Sequence, residues 1–63
     1  MSRAEQIDKR LLRISQEHLE IAKRAVARGA TLKQVQEAHR KINKLRIERD
    51  QLMEERKQYP YFL

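Results

Sequence analysis

The sequence predicts an all-α fold: an antiparallel two-helix hairpin that dimerises into a four-helix bundle. Three observations carry this. Gly29, the single glycine of the 63-residue chain, falls almost at its midpoint. On each side runs a stretch of helical periodicity with almost no internal breaker, the single proline being Pro60. The apolar faces of both stretches are wider than one hairpin covers.

The first helix opens on Ser2-Arg3-Ala4-Glu5. This is the pattern of a capping box, in which the Ser2 hydroxyl accepts from the Glu5 amide and the Glu5 carboxylate accepts from the Ser2 amide. The helix is predicted to run from about Arg3 to about Arg28. Lys23, Arg24 and Arg28 then fall in its last turns, where positive charge suits the helix dipole. Gly29 is expected at the left-handed position that ends it. A turn over 29–31 leads to a second capping box, Thr31-Leu32-Lys33-Gln34, with Ala30 and Val35 as a small hydrophobic staple. The second helix is expected over about 32–58, because Pro60 disfavours helical geometry at Tyr59. An aromatic tail, 59–63, completes a single domain spanning 1–63. So short a connection favours antiparallel neighbours.

The apolar residues repeat in heptads. On the first helix Ala4, Ile7, Leu11, Ile14, His18, Ile21 and Ala25 alternate in steps of three and four. Leu12, Leu19 and Val26 form a second row, with Ala22 between the rows. Together they widen the apolar arc to roughly 160°. The second helix continues the rhythm through Val35, Ala38, Ile42, Leu45, Arg49, Leu52, Arg56 and Tyr59, flanked by Leu32, His39, Arg46 and Met53. Arg49 and Arg56 on the seam make its distal end wetter. The expected core and dimer contacts are Ile7, Leu11, Leu12, Ile14, His18, Leu19, Ile21, Val26, Val35, Ile42, Leu45, Leu52 and Met53. Two-fold pairing is the simplest way to cover such faces.

Composition narrows the function. The chain has no cysteine, so disulfides and thiolate metal sites are excluded, and a reducing cytoplasm is the expected setting. Its start lacks the apolar stretch of a signal peptide, and no apolar run approaches the ~18 residues of a membrane span. The net charge of +6 admits acidic proteins or nucleic acid as partners.

Catalytic residues are not expected: one glycine allows neither a phosphate-cradling loop nor a nucleophile elbow, and Ser2 and Thr31 are already used as caps. No cofactor is expected. In an antiparallel hairpin turning near Gly29, facing residues have numbers that sum to about 57–61. That brings His18 towards His39, as a structural pair, a proton switch or the start of a metal site. The bundle reading of these histidines needs no metal. The same rule places Arg49 near Asp8 and Arg56 near Glu5, as inter-helix ion pairs.

Basic residues gather at Lys9-Arg10-Arg13, at Lys23-Arg24-Arg28 and at Arg40, Lys41, Lys44 and Arg46. The last four are the candidates for nucleic-acid contact. Interleaved glutamates such as Glu37, at helix-pair spacing from Lys41, make a solvated face the competing account. A helix-turn-helix reading of 24–35 meets Arg24 and Arg28 where that motif wants buried aliphatics. Tyr59, Tyr61, Phe62 and Leu63 are candidates for partner docking, since aromatic side chains anchor interfaces. The competing account has them fold back over Ile7, Leu11 and Leu52.

From Met1-Ser2-Arg3-Ala4-Glu5-Gln6-Ile7-Asp8-Lys9-Arg10 to the closing Tyr59-Pro60-Tyr61-Phe62-Leu63, the chain resembles the very small proteins encoded in the exo–xis region of lambda-like bacteriophages. The resemblance spans the whole length and rests on size and basic helical character. It implies an early phage protein of the host bacterial cytoplasm that biases the lysis–lysogeny decision or perturbs the host cell cycle through protein contacts. It carries no functional motif, so no site residue transfers. The expected activity is therefore that of a non-enzymatic, homodimeric interaction protein that binds a host or phage protein. A small basic nucleic-acid-binding regulator is the alternative.

Overall fold

A computed structural model describes residues 2–60. Two helices, α1 (Arg3–Ala25) and α2 (Leu32–Arg56), pack against each other as an elongated hairpin. Among the described residues there is no strand.

Both caps form where the sequence predicts them, although at α1 only the Ser2 half of the expected capping box is made. The Ser2 hydroxyl accepts from the Glu5 amide at 3.1 Å. At α2 the capping box is complete: the Gln34 amide donates to Thr31 Oγ1 at 3.2 Å, and the Thr31 amide donates to Gln34 Oε1 at 2.9 Å. Each pair satisfies amides that the first helical turn leaves without carbonyl partners.

The end of α1 requires a correction. The helix stops at Ala25, capped by Val26, rather than continuing to about Arg28. Reversal takes the whole of 26–31, because the chain builds a separate four-residue turn. The Ala30 amide donates to the Ala27 carbonyl at 3.1 Å, and Gly29 sits third in that turn with φ 89°. With Gly29 alone at positive φ, this is the signature of a type II turn, whose third residue favours glycine. Gly29 thus shapes the reversal three residues beyond the cap rather than terminating the helix directly. At the other end α2 stops at Arg56, two residues short of the expected boundary, and the chain leaves through turn hydrogen bonds from Gln58 and Tyr59 to Glu55 and Arg56.

Written as heptads, Ala4, Leu11, His18 and Ala25 occupy a positions of α1, and Ile7, Ile14 and Ile21 occupy d. On α2, Val35, Ile42, Arg49 and Arg56 are a, with Ala38, Leu45 and Leu52 at d. The fully buried residues all stand at d: Ile7 (0% exposed), Ile14 (3%), Ala38 and Leu45. The a residues on both helices are half-buried. The helices are therefore rolled towards their d sides, and the expected core divides accordingly. Ile7, Ile14 and Leu45 are buried; Leu11, His18, Ile21, Val35, Ile42 and Leu52 are half-buried; Leu12, Leu19, Val26 and Met53 lie exposed on the single hairpin.

Candidate functional site

The two flanks of the helix pair differ in chemistry. On one flank, residues at g positions of the two helices meet. Arg3 Nε and Nη2 donate to the Glu55 carboxylate at 2.5 and 2.8 Å, and Arg10 Nε and Nη2 donate to Glu48 at 2.5 and 2.7 Å. Both are two-pronged contacts, the geometry that a planar guanidinium offers a carboxylate. Glu17 extends the row, lying 3.7 Å from Arg10.

This row perturbs its own titration. The Glu48 and Glu55 carboxyls lie below their ordinary value, chiefly because each accepts hydrogen bonds from an arginine; lost hydration opposes this, and the arginine charge adds to it. Arg3 and Arg10 are raised by the same bonds. Arg3 is exposed and the other three groups are only half-buried, so the row fixes register more than it stabilises.

The opposite flank is apolar and open. Leu12, Leu19 and Val26 stand at every seventh position of α1 with 62%, 57% and 84% of their surface in water. The half-buried Leu11, His18 and Ala25 lie directly beside them. Across the groove α2 contributes the exposed Leu32 and Met53 and the half-buried Val35 and Ile42. Ser15 and Ala22 separate the two rows of α1, and neither is bulky enough to close the groove. An ion pair closes its distal end, with Arg56 Nε 2.9 Å from Asp8 Oδ1.

That pair corrects an expectation. Arg56 meets Asp8 rather than Glu5, and Arg49 pairs with its neighbour Asp50 at 3.2 Å rather than with Asp8. The facing rule treats the helices as flat ribbons. A guanidinium on a long stem reaches past the residue directly opposite, so Arg56 spans to Asp8. The Arg3–Glu55 and Arg10–Glu48 row went unforeseen, although its signal is in the sequence. Arg3 and Arg10 are seven apart, as are Glu48 and Glu55, and the partners in each pair have numbers adding to 58.

The remaining candidates are spread more widely. His18 is half-buried on the seam, whereas His39 is exposed on the flank of α2. Among the described residues no cluster of three or more His, Cys, Asp or Glu side chains could hold a metal ion. Arg40, Lys41, Lys44 and Arg46 are all exposed and make no ion pair among the described residues. Arg40, Lys44 and Lys41 share one outer face of α2, roughly 100° wide, whereas Arg46 stands apart and borders the open groove. Tyr59 is exposed, while the docking candidates Tyr61, Phe62 and Leu63 lie outside the described residues. No described helix is long and apolar enough to cross a membrane.

The fold and its surface define a helical hairpin with one flank closed by charge and one apolar groove left open. Comparison with known protein families, curated proteins and solved structures finds no match for this chain.

Proposed function

We propose that this protein is a non-enzymatic interaction module that works as a homodimer, two hairpins packing groove to groove as a four-helix bundle. The observation that carries this is the exposed row Leu12, Leu19 and Val26 on the flank opposite the ion pairs. Contiguous apolar rows of this kind are a liability in water unless another surface covers them. A second copy suits the groove because the surface is self-complementary in character: apolar between the turn and the Arg56–Asp8 pair at its distal end, with the Arg3–Glu55 and Arg10–Glu48 pairs on the far flank. A face about 35 Å long and two helices wide, ~20 Å, offers roughly 700 Å² per copy. The ~1,400 Å² total is that of an ordinary stable interface.

In this reading the dimer acts by engaging a host or regulatory protein from a bacterial cytoplasm, as the resemblance to early proteins of lambda-like phages implies. The described surface available for that partner is the outer face of α2, where Ile47 is exposed, together with Tyr59; the docking candidates Tyr61, Phe62 and Leu63 lie outside the described residues. Sedimentation equilibrium from about 1 to 100 µM tests the dimer, these concentrations spanning ordinary association strengths. A single monomeric mass at every concentration, with full helicity retained, refutes it.

Nucleic-acid binding is the second reading, favoured by the exposure of Arg40, Lys41, Lys44 and Arg46 without carboxylate partners among the described residues. It requires an affinity that falls steeply with salt. The protein-binding reading stays first because the exposed apolar row needs a cover that nucleic acid does not supply.

A further inference from the structure

The seam near the turn is built differently from the rest. Where Ile7, Ile14 and Leu45 fill the middle and distal parts, Ala25 and Ala38 occupy the a and d positions beside the turn. Alanine is too short to meet across the gap, and a half-open cleft of about 390 Å³ remains. Its lining includes Ile21, Ala25 and Ala38 together with Arg24, Arg28 and Lys41, with Glu37 as the one carboxylate. The cleft lies on the flank of the ion-pair row, so it stays accessible whether or not the apolar groove is covered.

The ion-pair row explains why Arg24 lacks a partner; in the same register Lys41 lies opposite Glu17, which stands 3.7 Å from Arg10. In the register that sets Arg3 against Glu55 and Arg10 against Glu48, the residue opposite Arg24 is Gln34. Gln34 is neutral, and its side-chain oxygen is already committed to the Thr31 amide. Arg24, Arg28 and Lys41 make no ion pair among the described residues. Three cations and one carboxylate leave a net of two positive charges over an apolar floor. That arrangement is matched by a phosphomonoester, which carries about −1.5 to −2 at neutral pH and offers oxygens that arginine binds in two-pronged fashion. The volume is at the small end for ligand sites, enough for one aromatic ring beside the phosphate.

We propose that the turn cleft binds a compact organic phosphate, a phosphomonoester on an aromatic or apolar body, with Arg24, Arg28 and Lys41 holding the phosphate and Ala25 and Ala38 receiving the body. The inference is independent of dimerisation.

Phenyl phosphate is the probe, followed by backbone amide chemical shifts on the full chain at moderate salt. Expected is saturable binding with shifts centred on Ala25, Ala38 and Lys41, at least about tenfold tighter than inorganic phosphate, since the ring adds burial. Arg28→Gln and Lys41→Gln each weaken it by about tenfold, the loss of one charge-assisted hydrogen bond. Lys44→Gln, outside the cleft, leaves it unchanged. Ala25→Leu fills the floor without altering charge and reduces the affinity for phenyl phosphate to that for inorganic phosphate. Circular dichroism confirms helicity in each variant, and a variant that loses it is set aside in favour of the others. Equal affinity for phenyl and inorganic phosphate overturns the proposal. So does equal weakening by Lys44→Gln and Lys41→Gln. Tighter binding of an oligonucleotide without terminal phosphate also overturns it, and assigns these cations to a diffuse polyanion surface.

Discussion

Truncating Ile14 and Leu19, one residue from each class of apolar position, separates what holds the hairpin together from what joins two hairpins. Ile14 retains 3% of its exposure, so Ile14→Ala removes contacts inside one chain. Such changes cost about 2–5 kcal/mol, comparable with the whole stability of a small domain. Helicity should collapse at every protein concentration. Leu19 keeps 57% of its surface in water in the single hairpin. Leu→Ala deletes three carbons, worth about 2.4 kcal/mol if all were buried at ~0.8 kcal/mol each. Dimerisation can bury only the exposed 57%, so each copy loses up to about 1.4 kcal/mol and a symmetric dimer about 2.7 kcal/mol. That is roughly a hundredfold in dissociation constant. Alanine is also the better helix former, so local propensity does not confound the result. Sedimentation equilibrium with parallel circular dichroism reads both effects. If Leu19→Ala lowers helicity as much at 1 µM as at 100 µM, concentrations about two decades apart, or leaves the dimer constant unchanged, the groove is not the interface.

Further perturbations probe the turn, the cap and the ion-pair row. Gly29→Ala should cost about 1–2 kcal/mol, because φ 89° is a left-handed conformation while the space around an added Cβ is open. Gly29→Asn should cost less, and urea midpoints of the two variants check the order. Thr31→Ala should lower stability by about 1 kcal/mol through loss of the α2 cap, also readable from urea midpoints. The Glu48 and Glu55 carboxyls are depressed in the folded state, so the unfolded chain binds more protons below their ordinary value of 4.5. Their contribution is complete above that value and disappears as pH falls through the lower folded values. Acid titration of helicity should therefore be flatter for Glu48→Gln/Glu55→Gln than for the unaltered protein, and superimposable curves would refute the linkage. Arg10→Glu should weaken the hairpin, and adding Glu48→Arg should restore its thermal midpoint if the row is a register device.

The sequence carried the topology because caps and breakers are local. Ser2, Thr31 and Gly29 each act within four residues, and a heptad rhythm survives without knowledge of the partner. The end of α1 was less accessible, since Ala27 and Arg28 have adequate helix propensity and leave the helix only because a type II turn needs four residues around Gly29. Rotation about the helix axis is a tertiary property. Heptad spacing identifies a and d but does not say which of them faces the neighbour more squarely, so Leu11 and Ile14 read alike until the structure buries one and half-exposes the other. Ion-pair partners fail for a related reason: long arginine side chains select carboxylates by reach, so Arg56 finds Asp8 rather than Glu5. The turn cleft is invisible in a linear pattern because it arises from two alanines on different helices, Ala25 and Ala38, that line the same gap.

The unequal flanks follow from one choice at the g positions. Arg3 and Arg10 on α1 meet Glu48 and Glu55 on α2, and these pairs sit above the buried d residues rather than above the a residues. Holding that edge together rolls each helix towards d and necessarily opens the a side. Had Leu12, Leu19 and Val26 been polar, the roll would leave a thin but soluble monomer. With three aliphatics there, the same roll presents a continuous apolar strip whose burial inside one hairpin would require breaking both two-pronged ion pairs. Closing one edge with charge and leaving the other apolar therefore restricts where a second helix pair can dock. In the bundle proposed above, it would also keep the charged edge, with the Ala25–Ala38 cleft at its turn end, facing water.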